Sequence, residues 1–330
     1  MAVTLADINK LRQITSAGMV DCKKALTETD GDIEKAVEIL RKKGQAVAAK
    51  RADRAASEGC VVSKSLGDFA AILALNCETD FVAKNEGFVK LTHQLLELAF
   101  NNRVKSVDEL NALTVDGRTV AELVTEQTGK TGEKIEISAY EYVEAPSTSA
   151  YTHFNAKLAA IVGFNQPNVP EQVGKDVAMQ IASMNPVAVN RESVAQSIID
   201  SEIAVATEKT KKEQVQKAVD AALTKAGLNP NLLDSEDHIA SNIAKGWLTE
   251  EEAEKARKII AEVSESKAAN LNPQMIENIV KGRLNKFYKD SCLMEQEFIQ
   301  DSKISVGEYL EKTSKGLVAV AFKRVNLNAE

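Results

Sequence analysis

Side chains able to do chemistry are sparse and scattered in this sequence. Four cysteines, Cys22, Cys60, Cys77 and Cys292, show no paired C-x-x-C spacing. Three histidines, His93, His153 and His238, stand far apart, and none has a second ligand at helical spacing. Metal sites of the His/Cys type draw their ligands from such close pairs, so no metal is expected. Gly129-Lys130-Thr131 has the ending of a phosphate-binding loop, but the glycine that must stand five positions earlier is Val124. Without it the backbone amides cannot wrap a phosphate, and Val120 to Val124 reads as helix where that loop requires a strand. No G-x-G-x-x-G and no G-x-S-x-G occurs. The acidic triplet Glu250-Glu251-Glu252 opens a helix, where the helix dipole already accounts for it. Nothing assembles a nucleophile with a base. A binding protein without a cofactor is therefore the stronger class, and an enzyme the weaker.

The informative segment is Glu78-Thr79-Asp80-Phe81-Val82, a connection that sets a bulky aromatic beside a carboxylate. Two explanations stand: Phe81 packs back on the following helix as a hydrophobic staple, or it is presented to a partner.

The elements around it are legible from periodicity. Residues 1–55 read as a small three-helix domain. Thr4 and Asp7 are a plausible cap pair, Ser16-Ala17-Gly18 is a break, and Ile33, Ala36, Val37 and Leu40 share the face of the third helix. So small a core calls for a neighbour or a partner surface. From Gly59 the period changes to strands, Cys60–Ser63 and Phe69–Asn76, joined at Gly67-Asp68 and followed by a helix carrying Phe88, Leu91, Leu95 and Leu98. Leu158-Ala159-Ala160-Ile161-Val162-Gly163-Phe164-Asn165 matches Phe69 to Asn76 at four of eight positions and also precedes a helix, so a hairpin-plus-helix unit is duplicated. Five residues beyond Asn76 stands Phe81, whereas five beyond Asn165 stands Pro170. The second copy closes without an aromatic, so the architecture does not demand one. The expected class is α+β: 56–145 and a second half of 146–205 with 275–330 as two related subdomains of antiparallel sheet and helices, and 206–274 as a helical insertion. Leu317 to Phe322 is expected as a buried terminal strand.

A hydrophobic fraction of 44% suits a globular core, and 48 acidic against 41 basic residues give a net charge of −7. That balance argues against a surface that grips nucleic acid throughout. With one Trp and 5% aromatics, a base-stacking platform is not expected either. The longest core-like apolar run, Leu158 to Phe164, falls short of the ~18 residues of a membrane span. No secretion signal is read at the N-terminus, so reduced thiols and a cytoplasmic location are expected. One local basic stretch, Arg41 to Arg54, is either a solvated linker helix or a phosphate-binding patch. It supports an alternative reading as a ribosome- or RNA-associated protein. A further alternative is an adaptor for ubiquitin-like partners built on residues 1–55.

Two long motifs carry a resemblance. Leu11-Arg12, Thr15 and Met19-Val20-Asp21-Cys22-Lys23-Lys24-Ala25-Leu26 resemble the N-terminal signature of the translation elongation factor Ts family. Asn76-Cys77-Glu78-Thr79-Asp80-Phe81-Val82-Ala83-Lys84 resembles its second signature. Weaker matches occur at Gly129 to Ile135, Tyr151-Thr152-His153 and Gly282 to Phe287, so the resemblance covers 1–205 and 275–330. It implies a guanine-nucleotide exchange factor for the GTPase EF-Tu, with a ubiquitin-associated-like N-terminal domain and a core of two related subdomains. The factor would bind EF-Tu·GDP, disturb the Mg²⁺ and phosphate site and promote GDP release, with no direct nucleotide binding of its own. By resemblance Thr79, Asp80, Phe81 and Val82 face EF-Tu near its Mg²⁺ site. Leu11, Arg12, Met19 and Val20 belong to the N-terminal contact, and Gly132 and His153 lie toward the partner from the core. The chain departs from the family pattern at Val20, often methionine. After His153, Phe154-Asn155-Ala156-Lys157 replaces a turn containing glycine and arginine. The helical region is also longer than the coiled-coil protrusion the family implies.

Overall fold

The structure is a computed structural model that describes residues 3–15 and 17–327; Ser16, first residue of the expected break, lies outside them. The chain divides into two compact units, Met1–Val189 with Gln296–Glu330, and Asn190–Glu295.

The larger unit opens with α1 (Leu5–Thr15), α2 (Met19–Glu28) and α3 (Ile33–Arg51). Thr4 and Asp7 cap α1 reciprocally, and the Asp32 carboxylate receives the Lys35 amide at the start of α3. Their shared core is Ile8, Leu11, Cys22, Ala25, Leu26 and Ala36. The first sheet follows, with β1 (Glu58–Leu66), β2 (Phe69–Cys77), and then α4 (Asp80–Ala83, one turn), α5 (Glu86–Asn101) and α6 (Val107–Ala112). A two-strand ribbon, β3 (Thr114–Val115) with β4 (Arg118–Thr119), leads into α7 (Val120–Thr131) and β5 (Glu136–Glu144). The second sheet contains β6 (Ser147–Thr152) and β7 (Leu158–Phe164), followed by α8 (Glu171–Met184).

Both sheets are antiparallel and built alike: β2 is central between β1 and β5, and β7 is central between β6 and β10 (Ala319–Asn326). The expected duplication is thus present as hairpin, helix and a returning third strand. Strand periodicity of two sorts the buried residues of β2. Phe69, Ala71, Leu73, Leu75 and Cys77 join Phe88, Leu95 and Ala99 of α5. Ala70, Ile72 and Ala74 face the other way and meet Ala159 and Ile161 of β7. Small side chains on these inner faces let the sheets approach closely. A Cβ on Gly163 would come within 2.6 Å of the Ala145 Cβ.

Gly129 falls in the last turn of α7 with no phosphate loop, as expected, and its backbone meets Gly44 of α3. A Cβ on Gly129 would stand 2.7 Å from the Gly44 Cα. The three-helix domain therefore finds the surface it needs on its own chain. The terminal strand differs from expectation. β10 lies at the sheet edge and exposes Val320, whose side chain points away from the face on which Ala321 and Val325 pack. Before it come the ribbon β8 (Glu297–Phe298) with β9 (Asp301–Ser305) and the helix α13 (Val306–Thr313).

The second unit is helical: α9 (Gln196–Lys225), α10 (Glu236–Ala244), α11 (Glu250–Ala269) and α12 (Pro273–Ser291). The Thr249–Glu252 capping box opens α11. Val219, Leu223, Leu228, Leu233, Ile239, Leu248, Ala253 and Ala256 form a core of its own.

Among the described residues no helix is long and apolar enough to cross a membrane. No group of three or more His, Cys, Asp or Glu among them is placed to hold a metal ion.

Candidate partner-binding site

β2 ends at Cys77, and the chain makes the single turn α4 before the Asn85 side chain caps α5. Thr79 caps α4, its hydroxyl accepting the Val82 amide at 3.4 Å. The second copy passes from Asn165 to Pro170, which precedes α8, without a helical turn. The turn α4 is thus an addition in the first copy, and it carries Phe81. Ala83 is buried and Val82 packs on the core, whereas Phe81 is 84% exposed. An aromatic ring so fully in water staples nothing, so the packing explanation is overturned. Asp80 pairs with Lys84 at 2.6 Å, and that hydrogen bond, first of all, holds its carboxyl below the ordinary range.

Two glutamates pin this loop. The Glu133 carboxylate accepts the amides of Glu78 at 3.1 Å and Thr79 at 3.0 Å, and the Thr79 hydroxyl at 2.6 Å. Glu78 in turn accepts the Lys134 amide at 2.7 Å, Arg51 at 2.7 Å and Arg54 at 3.2 Å. The Lys134 amide, then Arg51, depress the Glu78 carboxyl to about 2, so it is ionised throughout the physiological range. Beneath it the Cys77 thiol donates to the Thr79 carbonyl at 3.1 Å, and burial pushes it up to about 12. All four cysteines are free and buried.

Phe81 and Val82 line a groove of 1160 Å³ together with Ile14 of α1, Leu91 of α5 and Lys130 of α7. The N-terminal candidates divide by depth. Met19 is 45% and Val20 68% exposed, Arg12 is exposed, and Leu11 is wholly buried in the three-helix core. Leu11 supports the bundle and presents no atoms to a partner, whereas its neighbour Ile14, unremarked in the sequence, is 52% exposed on the groove. Gly132 ends α7 with a left-handed φ of 71° and lines an adjoining 450 Å³ pocket with Ile14, Gly18 and Val47. His153 is in neither. It stands at the β6–β7 connection, its Nδ1 2.9 Å from the Tyr151 hydroxyl and its ring against Phe154.

Sequence reasoning missed Ile14, Glu133 and the role of Glu78. No local pattern links Glu133 to Thr79 across 54 positions. The basic stretch is largely engaged within the chain. Lys42 pairs with Glu38 and Lys43 with Asp21, while Arg51 and Arg54 hold Glu78.

Comparison with known proteins agrees along the whole length. The sequence model of the family described as "Elongation factor TS" matches residues 78–229 and 211–329. The chain is 56% identical over 331 residues to the elongation factor Ts of Bacteroides thetaiotaomicron and 55% to that of Parabacteroides distasonis, each alignment spanning 100% of both chains. It is 44% identical, again over 100% of both, to the elongation factor Ts of Porphyromonas gingivalis.

Proposed function

Because this chain belongs to the elongation factor Ts family, we propose that it is the guanine-nucleotide exchange factor for the translational GTPase EF-Tu and works in the cytoplasm. It binds EF-Tu·GDP, disturbs the surroundings of Mg²⁺ and phosphate, and so lets GDP leave and GTP rebind, performing no chemistry and binding no nucleotide itself. The observation that carries this reading is Phe81, 84% exposed on a turn whose backbone is tied down by Glu133. A loop already ordered loses little conformational freedom when it docks, so its apolar ring can be spent on the partner.

Exchange follows from linkage. If factor and nucleotide each weaken the other's binding, the same coupling energy appears in both affinities, and each tenfold corresponds to about 1.4 kcal/mol. Phe81 supplies that coupling only if its pocket on EF-Tu is better formed without nucleotide, since a wedge that fits both states equally shifts neither. Thr79, Asp80 and Val82 complete the wedge by shaping the turn. Arg12, Met19 and Val20, exposed on the three-helix domain, offer a second contact with Ile14, which lines the groove, and Gly132 and His153 lie toward the partner from the core. The RNA-associated alternative draws little support from the basic stretch, in which Arg51 and Arg54 are occupied by Glu78, Lys42 by Glu38 and Lys43 by Asp21.

The test is release of fluorescent GDP from EF-Tu into excess unlabelled GDP, with catalytic amounts of this protein. The parent should accelerate release, and Phe81→Ala, still folded, should lose most of that effect. Acceleration that survives the substitution would move the wedge elsewhere; none from the parent would remove the exchange reading.

A further inference from the structure

The two most exposed large apolar side chains among the described residues are both phenylalanines, Phe154 at 91% and Phe81 at 84%. Each sits where one copy of the duplicated unit departs from the other. The first copy adds the turn α4 after its hairpin. The second closes its hairpin with five residues, His153 to Lys157, where the first needs only Gly67 and Asp68. The shared architecture requires neither addition.

Topology brings the two together. Glu58, which opens β1, is paired with Cys77, which closes β2, so α4 rises beside the start of β1. β6 runs antiparallel alongside β1. The Thr148 amide donates to the Gly67 carbonyl, the Ser63 amide to the Thr152 hydroxyl, and the Val61 amide to the Ala156 carbonyl at 2.6 Å. The tip of the second hairpin therefore arrives at the same end of β1 as α4. There Lys157 pairs with Glu58 at 2.8 Å, and Ala156 packs on the cluster that holds Val82 and Ala83. The charge of Lys157 reaches Asp80, helping Lys84 to hold that carboxyl low.

The tip is as firmly set as α4. The His153 amide donates to the Leu158 carbonyl and the Ala156 amide to the His153 carbonyl, both at 2.8 Å. Asn155 accepts the Lys157 amide at 3.1 Å, and Ala156 takes a left-handed φ of 51°. The His153 ring, tethered to Tyr151, backs the Phe154 ring at 4.5 Å between centroids.

We propose that Phe154 is a second anchor for the same GTPase, entering an apolar cleft of EF-Tu beside the one that receives Phe81, so that the factor grips its partner with two rings from one end of β1. This rests on the exchange reading. The partner is EF-Tu because the tip and α4 stand on one end of β1, with Ala156 and Val82 packed on the same cluster. Buried aromatic anchors dominate interface energies, and a preorganised turn adds little ordering cost on docking.

The experiment measures calorimetric binding to nucleotide-free EF-Tu and the half-saturating factor concentration in GDP release. Parent, Phe154→Ala and Phe154→Leu are compared, with thermal midpoints confirming the fold. Phe154→Ala should weaken binding and raise the half-saturating concentration by about tenfold or more, while release at saturating factor stays within about twofold of parent. Phe154→Leu, which keeps apolar bulk, should recover most of the loss. A Phe154→Ala variant that binds as tightly as a working parent overturns the proposal and leaves exchange intact. A parent that neither binds nor accelerates release removes both.

Discussion

Glu78 is where the physical chemistry of single residues is most concentrated. Its carboxylate collects an amide from the connection between α7 and β5 and two guanidinium groups from the end of α3 and just beyond, so one side chain joins the three-helix domain, that connection and the Phe81 turn. Its folded pKa of about 2, against an ordinary 4.5, means the unfolded chain binds this proton more readily than the folded one. The stabilisation is therefore complete above pH 4.5 and lost as the pH falls toward 2. Glu78→Gln should lower stability by about 2 kcal/mol at neutral pH, the scale of a hydrogen bond to a charged group. Urea titrations at stepped pH should show the gap between parent and variant closing below pH 4.5; a gap constant with pH would mean that the charge is immaterial. Leu11 makes the complementary point: belonging to a family signature does not place a side chain at the surface.

At the scale of elements, the contact of α3 with α7 depends on two glycines that a sequence reader meets as unrelated. They are unequal. A Cβ on Gly129 would meet the Gly44 Cα at 2.7 Å, whereas one on Gly44 would stand 3.5 Å from Gly129. Gly44→Ala should be neutral or stabilising by up to about 1 kcal/mol, the helix-propensity difference. Gly129→Ala must part the helices and should lower the thermal midpoint despite the same propensity gain. Equal effects of the two would show that the helices do not depend on this close approach. Strands, caps and the duplicated hairpin were readable because each rests on contacts near in sequence, as with Thr249 and Glu252. The four-residue addition α4 was not, since matching the copies by counting from Asn76 and Asn165 assumed connections of equal length.

For the whole molecule, the unit Asn190–Glu295 has a hydrophobic core built from α9, α10, α11 and the connections between them. Leu223→Ala, at a fully buried position, should cost about 2–5 kcal/mol. Calorimetry should show that loss in the unfolding of this unit, with the transition of the larger unit unmoved. GDP release at 25 °C should remain near the parent rate. A shift of both transitions together would mean that the units unfold as one, and a loss of exchange would give the helical unit a part in the reaction.

The α+β class, the repeat of hairpin and helix, the helix from Val120 that leaves no phosphate loop at Gly129, and the family could all be read from the order of residues. All of these are carried by periodicity and by motifs of adjacent residues. That Phe81 stands in water and Leu11 does not, that Arg51 and Arg54 answer Glu78, and that Phe154 comes to the same end of β1 became visible in three dimensions alone. Exposure and pairing belong to residues tens of positions apart, brought together by sheet register and helix packing, and no spacing along the chain encodes them.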